Sequence, residues 1–413
     1  MSATKIDKYK YYSLTEKLKI LEANPVNSKI INNNHPDDPK PKNRNKKYWV
    51  PWIFFPNDLG LNKSQSIKKI YYWKTGWKPK GEIDFERALE NSEDYKETKK
   101  ELENTKFYEK FIKKSNWSEN FNINELKTPP EVGKIKSTWL GHATFFIQFN
   151  NGHGNGFNCL IDPVLSDIIG VGRETKVPVN MSDLKKAGIN IDLILISHTH
   201  YDHLEFDLLT QLEKDFPEAK FVFPKDVKKL FKTSIFQSKD NSKSRIVKKT
   251  TELMWWESFE VKGEEGQNMK ITLTPAQHYS NRTLFDAYDY LWGGFVIENL
   301  SDQTSLYFVG DSGYCPVFKE IGQTFPNLTV SLIPIGAYKP RWFMSPQHCN
   351  PEESVQIHLD LKCKQSVAMH WLTFSLADDK AFEPLVEFEV FRKRRGVENF
   401  EWVEIGETRF YEK

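Results

Sequence analysis

Disulfide chemistry, spanning helices and a surplus of one charge are all missing from this 413-residue sequence. Its four cysteines, Cys159, Cys315, Cys349 and Cys363, stand far apart with no CxxC pair. That spacing fits free thiols in a reducing compartment better than a disulfide frame or a cysteine zinc site. No uninterrupted apolar run reaches about 18 residues, so a spanning helix is not expected. The opening stretch MSATKIDKYKYYSLTEKL is polar and lacks the apolar core of a secretory signal. A formal net charge of +2, with Lys and Arg spread along the chain, gives no general attraction to nucleic acid. The expectation is a soluble or peripheral protein, cytoplasmic or on the cytosolic face of an intracellular membrane, with no nucleic-acid partner. What is present is core material. Hydrophobic residues make up 39% of the chain and aromatics 14%, including 12 Trp and 29 Phe, enough for a large buried core in one big domain or two.

The chain divides near Thr128-Pro129-Pro130. Residues 1–45 form a polar leader of disorder-prone composition. Residues 46–130 form an aromatic and charged extension expected to pack on the core, with the segment KKYWVPWIFFPN and a helix-like stretch from Asp84 to Lys114. From residue 131 to 413, strand-like runs alternate with turn signals and helical stretches, the pattern of a layered α/β catalytic domain. The predicted strands are KIKSTWL, TFFIQF, NCLID, IDLILIS, KFVFP, KITLTPA, GGFVIEN, SLYFVGD, LTVSLIPI and KQSVAMHW. Helices are predicted after His203, from Pro351 to Lys362, and over about Asp378 to Arg395, and the polar run Ser238 to Arg245 reads as an exposed loop.

Of only ten histidines, three fall in SHTHYDHLEF, directly after the apolar run IDLILI. His198, His200, Asp202 and His203 occupy positions i, i+2, i+4 and i+5 where a buried strand runs out into a loop. Alternation on an extended chain puts His198 and His200 on one side, and a turn at Tyr201 brings Asp202 and His203 round to a second point. Two adjacent metal ions need that arrangement, since imidazole nitrogen and carboxylate oxygen suit zinc and leave positions for a reactive water. Further ligand-type residues leave other apolar runs: His278 after KITLTPAQ, Asp311 at the end of SLYFVGD, and His370 after KQSVAM. Taken singly, His278 or His370 equally suits a hydrogen-bonded structural residue, and Asp311 suits a turn before Gly313. Five histidines and two aspartates leaving strand ends suggest one mouth of one sheet system.

These residues resemble the metallo-β-lactamase fold of zinc hydrolases. The similarity is closer to one branch, the N-acylphosphatidylethanolamine-hydrolysing phospholipase D family. It is carried by WLGHATFFIQ (139–148), NCLIDPVLSD (158–167), ILISHTHYDHLE (194–205), TPAQHYSNRTLFD (274–286), YLWGGFVIE (290–298), YFVGDSGYCPVFKEIG (307–322) and IPIGAYKPRWFMSPQHCNPEESVQIHLDL (333–361). It covers about residues 135 to 385. The resemblance implies an αββα sandwich with a dinuclear site at the sheet edge and two zinc ions per chain. In it, His198, His200 and His278 hold one ion, Asp202, His203 and His370 the other, and Asp311 bridges them. His348, in SPQHCNPEE, matches a family histidine that lines the site without binding metal; it either donates to substrate or packs before Pro351. Two departures stand out: Leu372 follows His370-Trp371 where the family usually has glycine, and Ser238 to Arg245 reads as an insertion.

The activity implied is hydrolysis of N-acylphosphatidylethanolamine to N-acylethanolamine and phosphatidic acid. Two cations about 3.5–4 Å apart activate a water for in-line attack on phosphorus and neutralise charge on the phosphoryl oxygens. Asp202 would orient the nucleophile as well as bind metal, Asp311 would hold both ions, and His348 would donate to substrate. A phospholipid substrate implies a bilayer surface as partner, and the resemblance implies a homodimer. Tyr48 to Phe55 and the stretch AYKPRWFM, with Lys339, Arg341, Trp342 and Phe343, are the candidate membrane or phosphate contacts, against the alternatives of core aromatics and plain surface charge. Iron or manganese would accept the same ligands as zinc. Two other functions fit the sequence: a lactonase or phosphodiesterase acting on a soluble substrate, and a non-catalytic lipid-binding protein on the same scaffold.

Overall fold

The computed structural model describes Leu14, Lys78 and residues 80–114, 117–150, 156–232, 242–262, 268–283 and 285–413. The leader and Tyr48 to Phe55 lie outside the described residues, Leu14 excepted. From Lys78 onward the described residues begin with three helices, α1 Lys80–Asn91, α2 Glu93–Glu103 and α3 Lys106–Ile112, where the sequence predicted one helix-like stretch. The breaks fall at Ser92 and Thr105, residues that favour helix starts, and Thr105 accepts a hydrogen bond from the Tyr108 amide.

Two seven-stranded sheets follow. The first runs β14-β1-β2-β3-β4-β5-β6, with β1 Lys134–Gly141, β2 Thr144–Phe149, β3 Phe157–Ile161, β4 Leu193–Leu195, β5 Lys220–Pro224, β6 Thr250–Leu253 and β14 Thr408–Glu412. The second runs β13-β12-β11-β10-β9-β8-β7, with β7 Ser258–Lys262, β8 Asn268–Thr274, β9 Gly294–Asn299, β10 Thr304–Phe308, β11 Val330–Pro334, β12 Gln365–Met369 and β13 Phe400–Glu401. In each sheet one half pairs antiparallel and the other parallel. Two antiparallel steps restore direction, so β1 points the same way as β3, and β8 the same way as β10. The C-terminal ends of β1, β3, β4 and β5 therefore share one edge of the first sheet, and those of β8, β10, β11 and β12 one edge of the second.

Burial on both faces explains the continuous apolar runs. In β4, Leu193 and Leu195 join the core shared with the second sheet, while Ile194 beside them joins a separate cluster under the outer helices. Those outer helices are α4 Met181–Lys186, α5 Phe206–Asp215 and α6 Ser242–Lys249. The second sheet is covered by α7 Val317–Thr324, the short α8 Arg341–Met344, α9 Pro351–Leu361 and α10 Glu383–Arg394. The result is the expected αββα layering. Residues of α1 to α3 enter the same core: Phe107 packs its ring against Trp117, Trp371, Phe382 and Trp402.

Three expectations are corrected. Ser242 to Arg245 belong to α6 rather than a loop, and Arg245 is pinned to Glu213, a buried carboxylate of α5, at 2.8 Å. The last helix starts at Glu383, not Asp378, because Pro384 sits in its first turn and Asp379 turns away to accept the backbone amides of Ala337, Tyr338 and Lys339. The run IDLILIS pairs as a strand only at Leu193–Leu195.

Candidate metal centre

Every predicted ligand leaves a strand at the shared edge. Ile196 and Ser197 carry the chain from β4 to His198, β8 leads to His278, β10 to Asp311 and β12 to His370. Gly310 takes a φ of 67°, a left-handed turn that glycine tolerates, just before Asp311. Beyond β11 the backbone of Gly336 passes so close to His370 that a Cβ there would lie 2.1 Å from its carbonyl oxygen.

The seven residues converge into two groups. His198, His200, His278 and Asp311 bring one ligand atom each within 4.8 Å of one another, and so do Asp202, His203 and His370 together with His142. The Asp311 carboxylate faces both: Oδ2 lies 3.8 Å from Nε2 of His198 and of His278, while Oδ1 lies 3.1 Å from His370 Nε2. The division matches the two points expected from the HTHYDH spacing.

The chemistry of the donors fits a cation. His278 directs Nδ1 at the Gln347 carbonyl at 2.9 Å, and His203 directs Nδ1 at Asp162 Oδ2 at 2.7 Å. An acceptor on Nδ1 fixes the hydrogen there, so Nε2 of each ring, in its neutral form, presents a lone pair inward. His278 Nε2 stands 3.1 Å from His200 Nδ1, itself 2.9 Å from His198 Nε2, and His203 Nε2 stands 3.3 Å from His370 Nε2. Each of these pairs can share one hydrogen, and a cation among them would take that hydrogen's place. Burial holds His198 and His278 well below the usual imidazole range, favouring the neutral ligand form. Burial acts the same way on His203, but Asp311 and Asp202 overcome it and hold that ring well above its usual value. The two aspartates stay ionised against burial, chiefly through His203. A metal bound here would displace protons.

Asp162 braces the cluster from below. It accepts the Ser197 amide at 2.7 Å and hydroxyl at 2.5 Å as well as the His203 ring. Arg282 braces it from the side, its guanidinium 3.8 Å from the Tyr201 ring and bonded to the Thr199 carbonyl.

His348 lies over the centre, its Nδ1 3.9 Å from Asp311 Oδ2 and without a hydrogen-bond partner. Burial pushes it down to about 3, so the ring is neutral at physiological pH. Leu372 takes a φ of 64°, the left-handed region that favours the glycine expected there, and is buried.

The four substrate or membrane candidates are placed otherwise than expected. Lys339 is buried and paired with Glu383 at 2.8 Å and Glu387 at 3.1 Å. Arg341 is 3% exposed, paired with Glu353 at 2.7 Å and donating to the carbonyls of Tyr338 and His348. Trp342 is buried and Phe343 half-buried. Both cations are neutralised inside the fold, which corrects the expectation that they meet a phosphate or a headgroup.

Sequence reasoning missed His142. It is 1% exposed, its Nε2 lies 2.9 Å from Asp202 Oδ2 and its ring centroid lies 3.9 Å from that of His370, the two rings tilted at 41°. A lone histidine in a strand connection carries no ligand spacing; the one available signal was its place after Gly141 in a tight turn between two strands.

The chain is 34% identical over 247 residues to the N-acyl-phosphatidylethanolamine-hydrolyzing phospholipase D 1 of Caenorhabditis elegans, covering 58% of this chain and 64% of that one. It is 30% identical over 306 residues to the mitochondrial N-acyl-phosphatidylethanolamine-hydrolyzing phospholipase D of Saccharomyces cerevisiae, covering 70% of this chain and 60% of that one. It thus spans less than two thirds of the length of either relative. A solved metallo hydrolase from the archaeon Ignicoccus hospitalis is 22% identical with a TM-score of 0.49, covering 68% of this chain and 99% of that one. Residues 158–371, more than half of the chain and including all seven convergent ligand side chains, match the family described as the beta-lactamase superfamily domain, and the chain belongs to that family.

Proposed function

We propose that this chain is a metal-dependent phosphodiesterase of the phospholipase D type. It cleaves N-acylphosphatidylethanolamine to N-acylethanolamine and phosphatidic acid with two zinc ions per chain. The observation that carries the reading is the convergence of inward-facing imidazole nitrogens around one shared carboxylate, Asp311. His198, His200 and His278 would hold one ion, Asp202, His203 and His370 the other, with Asp311 facing both groups. When bound, the ions lower the pKa of water and neutralise developing charge on a phosphoryl oxygen. The residues do the rest. Asp202 orients the attacking water, Asp162 and the Gln347 carbonyl fix the tautomers of His203 and His278, and neutral His348 offers its ring to a phosphoryl oxygen as a hydrogen-bond partner.

A bilayer-resident substrate needs a mouth that meets a membrane. Ile168, Val171, Tyr201 and Phe285 are exposed large apolar side chains on loops that follow β3, β4 and β8 at the metal edge. They take the membrane role that Lys339, Arg341 and Trp342 do not. Among the described residues no helix is long and apolar enough to cross a membrane. The reading carries with it a peripheral seat on an intracellular membrane and a homodimer.

The test is metal analysis combined with cleavage assays on N-acylphosphatidylethanolamine vesicles and on a soluble phosphodiester. The wild-type protein should hold about two zinc ions per chain and cleave the vesicle substrate. His200→Ala and Asp311→Asn should each lower kcat by 100-fold or more, on the order expected for loss of a metal function. Cleavage of the soluble compound alone supports the soluble-substrate hydrolase, and full activity in both variants defeats the mechanism.

A further inference from the structure

His142 occupies a costly position. β1 carries a register irregularity between Trp139 and Gly141, and the turn to β2 places His142 at a φ of 54°, where glycine is the ordinary choice. Its backbone is held on both sides of the centre. The amide donates to Thr373 Oγ1 at 2.7 Å, and the carbonyl accepts from the His370 amide at 3.0 Å and from Trp139 Nε1 at 2.9 Å. A strained backbone kept in place by three hydrogen bonds aims one ring at one carboxylate. Because an ionised carboxylate only accepts, the hydrogen between His142 Nε2 and Asp202 Oδ2 belongs to the histidine. The ring is closed in by His370 on one face and by Phe374, whose centroid lies 5.2 Å away, at its edge.

We propose that His142 is a positioning residue of the centre: through Nε2–H it holds the Asp202 carboxylate in the orientation in which, with His203 and His370, it takes the second cation. The inference rests on the metallohydrolase reading above and adds to it a residue outside the seven ligands. Asp202 stands on a loop, after an exposed tyrosine, and the other groups near its Oδ2 are ligand nitrogens, His203 at 3.3 Å and His370 at 3.5 Å. A hydrogen bond from a rigid turn between two strands removes the rotational freedom that a loop carboxylate would otherwise keep.

The experiment measures both zinc dissociation constants by competition with a chromophoric chelator, alongside kcat and KM, in the full-length protein. Three variants are compared: His142→Ala, His142→Gln, and His142→Gly, which suits the left-handed backbone and keeps the turn. Ala and Gly should each weaken one of the two zinc ions by about 10- to 100-fold, leave the other within a few-fold, and lower kcat more than they raise KM. Gln, which can present an N–H at similar reach, should restore affinity to within a few-fold. The metal-free melting temperature of His142→Gly should stay near wild type, a result that a purely structural role would not give. Wild-type affinities in Ala and Gly overturn the proposal, and so does a Gln variant as weak as Ala, since the imidazole itself would then be a ligand. A wild-type protein that holds fewer than two zinc ions defeats the metallohydrolase reading, and this proposal with it.

Discussion

His358 on α9 lies outside the metal cluster and is nearly as buried, with Nδ1 2.7 Å from Ser366 Oγ and Nε2 3.2 Å from Asn399 Oδ1. Burial pushes its pKa below the ordinary value of 6.5, against the opposing pull of Asn399. The folded chain therefore binds this proton less readily than the unfolded chain, which titrates near 6.5. Its share of stability is present above that pH and is lost as pH falls below it, by at most about 1.4 kcal/mol per pH unit for one proton. Urea unfolding of metal-free wild type and His358→Gln over pH 5.5 to 8 should show a gap of about 1–2 kcal/mol at pH 8 that narrows toward pH 5.5. A gap that stays flat would mean that the ring is not neutral in the fold. The same scale shows why some roles were legible and others not. HxHxDH announces itself because ligand types recur at fixed short spacing after an apolar run. Lys339 and Arg341 misled because a basic residue among aromatics looks alike at a surface and in a buried ion pair; only Glu383, Glu387 and Glu353, far off in sequence, decide which it is.

Short elements depend on long-range partners, and α8 is the clearest case. Its four residues leave their first amides without helical acceptors. Glu82 on α1 meets them: Oε1 accepts from Arg341 N at 2.7 Å and Oε2 from Trp342 N at 2.9 Å, at full burial. Desolvation raises that carboxyl above its usual range, with the two amides pulling the other way. The segment so anchored leads on to Gln347 and His348 at the centre. Glu82→Ala strands two buried N–H groups and should cost about 2–4 kcal/mol in urea unfolding, whereas Glu82→Gln, keeping one acceptor oxygen, should cost less. Equal losses in the two variants would show that shape rather than hydrogen bonding matters there. None of this was visible locally: AYKPRWFM contains a proline and no acidic cap of its own. Strands such as β2 and β5 were readable from apolar runs bounded by turn signals. β6, β7 and β14 were not, since TTEL, SFEVK and TRFYE alternate weakly with charge and become strands by pairing with β5, β8 and β1. α6 was hidden by a polar sequence whose helical state is tied to Glu213 on α5.

At the scale of the whole molecule, the sheet order was beyond the sequence, because β14 closes the first sheet beside β1 across nearly the whole catalytic region. The edge that gathers the ligands was inferable only as repeated ligand types after apolar runs. That edge has a mechanical consequence. His198, His200, Asp202 and His203 hang from the first sheet, and His278, Asp311 and His370 from the second, so ions held among them tie the two halves together. On the proposed reading the folded chain would bind the ions through all seven residues and the unfolded chain would not, so each bound ion would add about 4 kcal/mol when free metal stands at a thousand times its Kd. With midpoint shifts of about 2 °C per kcal/mol or less for a domain larger than about 250 residues, removing zinc with a chelator should lower the melting temperature by roughly 5–10 °C, and adding zinc back should restore it. Asp311→Asn, which keeps the shape of the side chain but weakens the one group facing both sites, should shrink most of that difference. Coincident melts for chelated and zinc-loaded wild type would mean that the two sheets close without help from the ions, and the cluster would then be a preformed cup rather than a clasp.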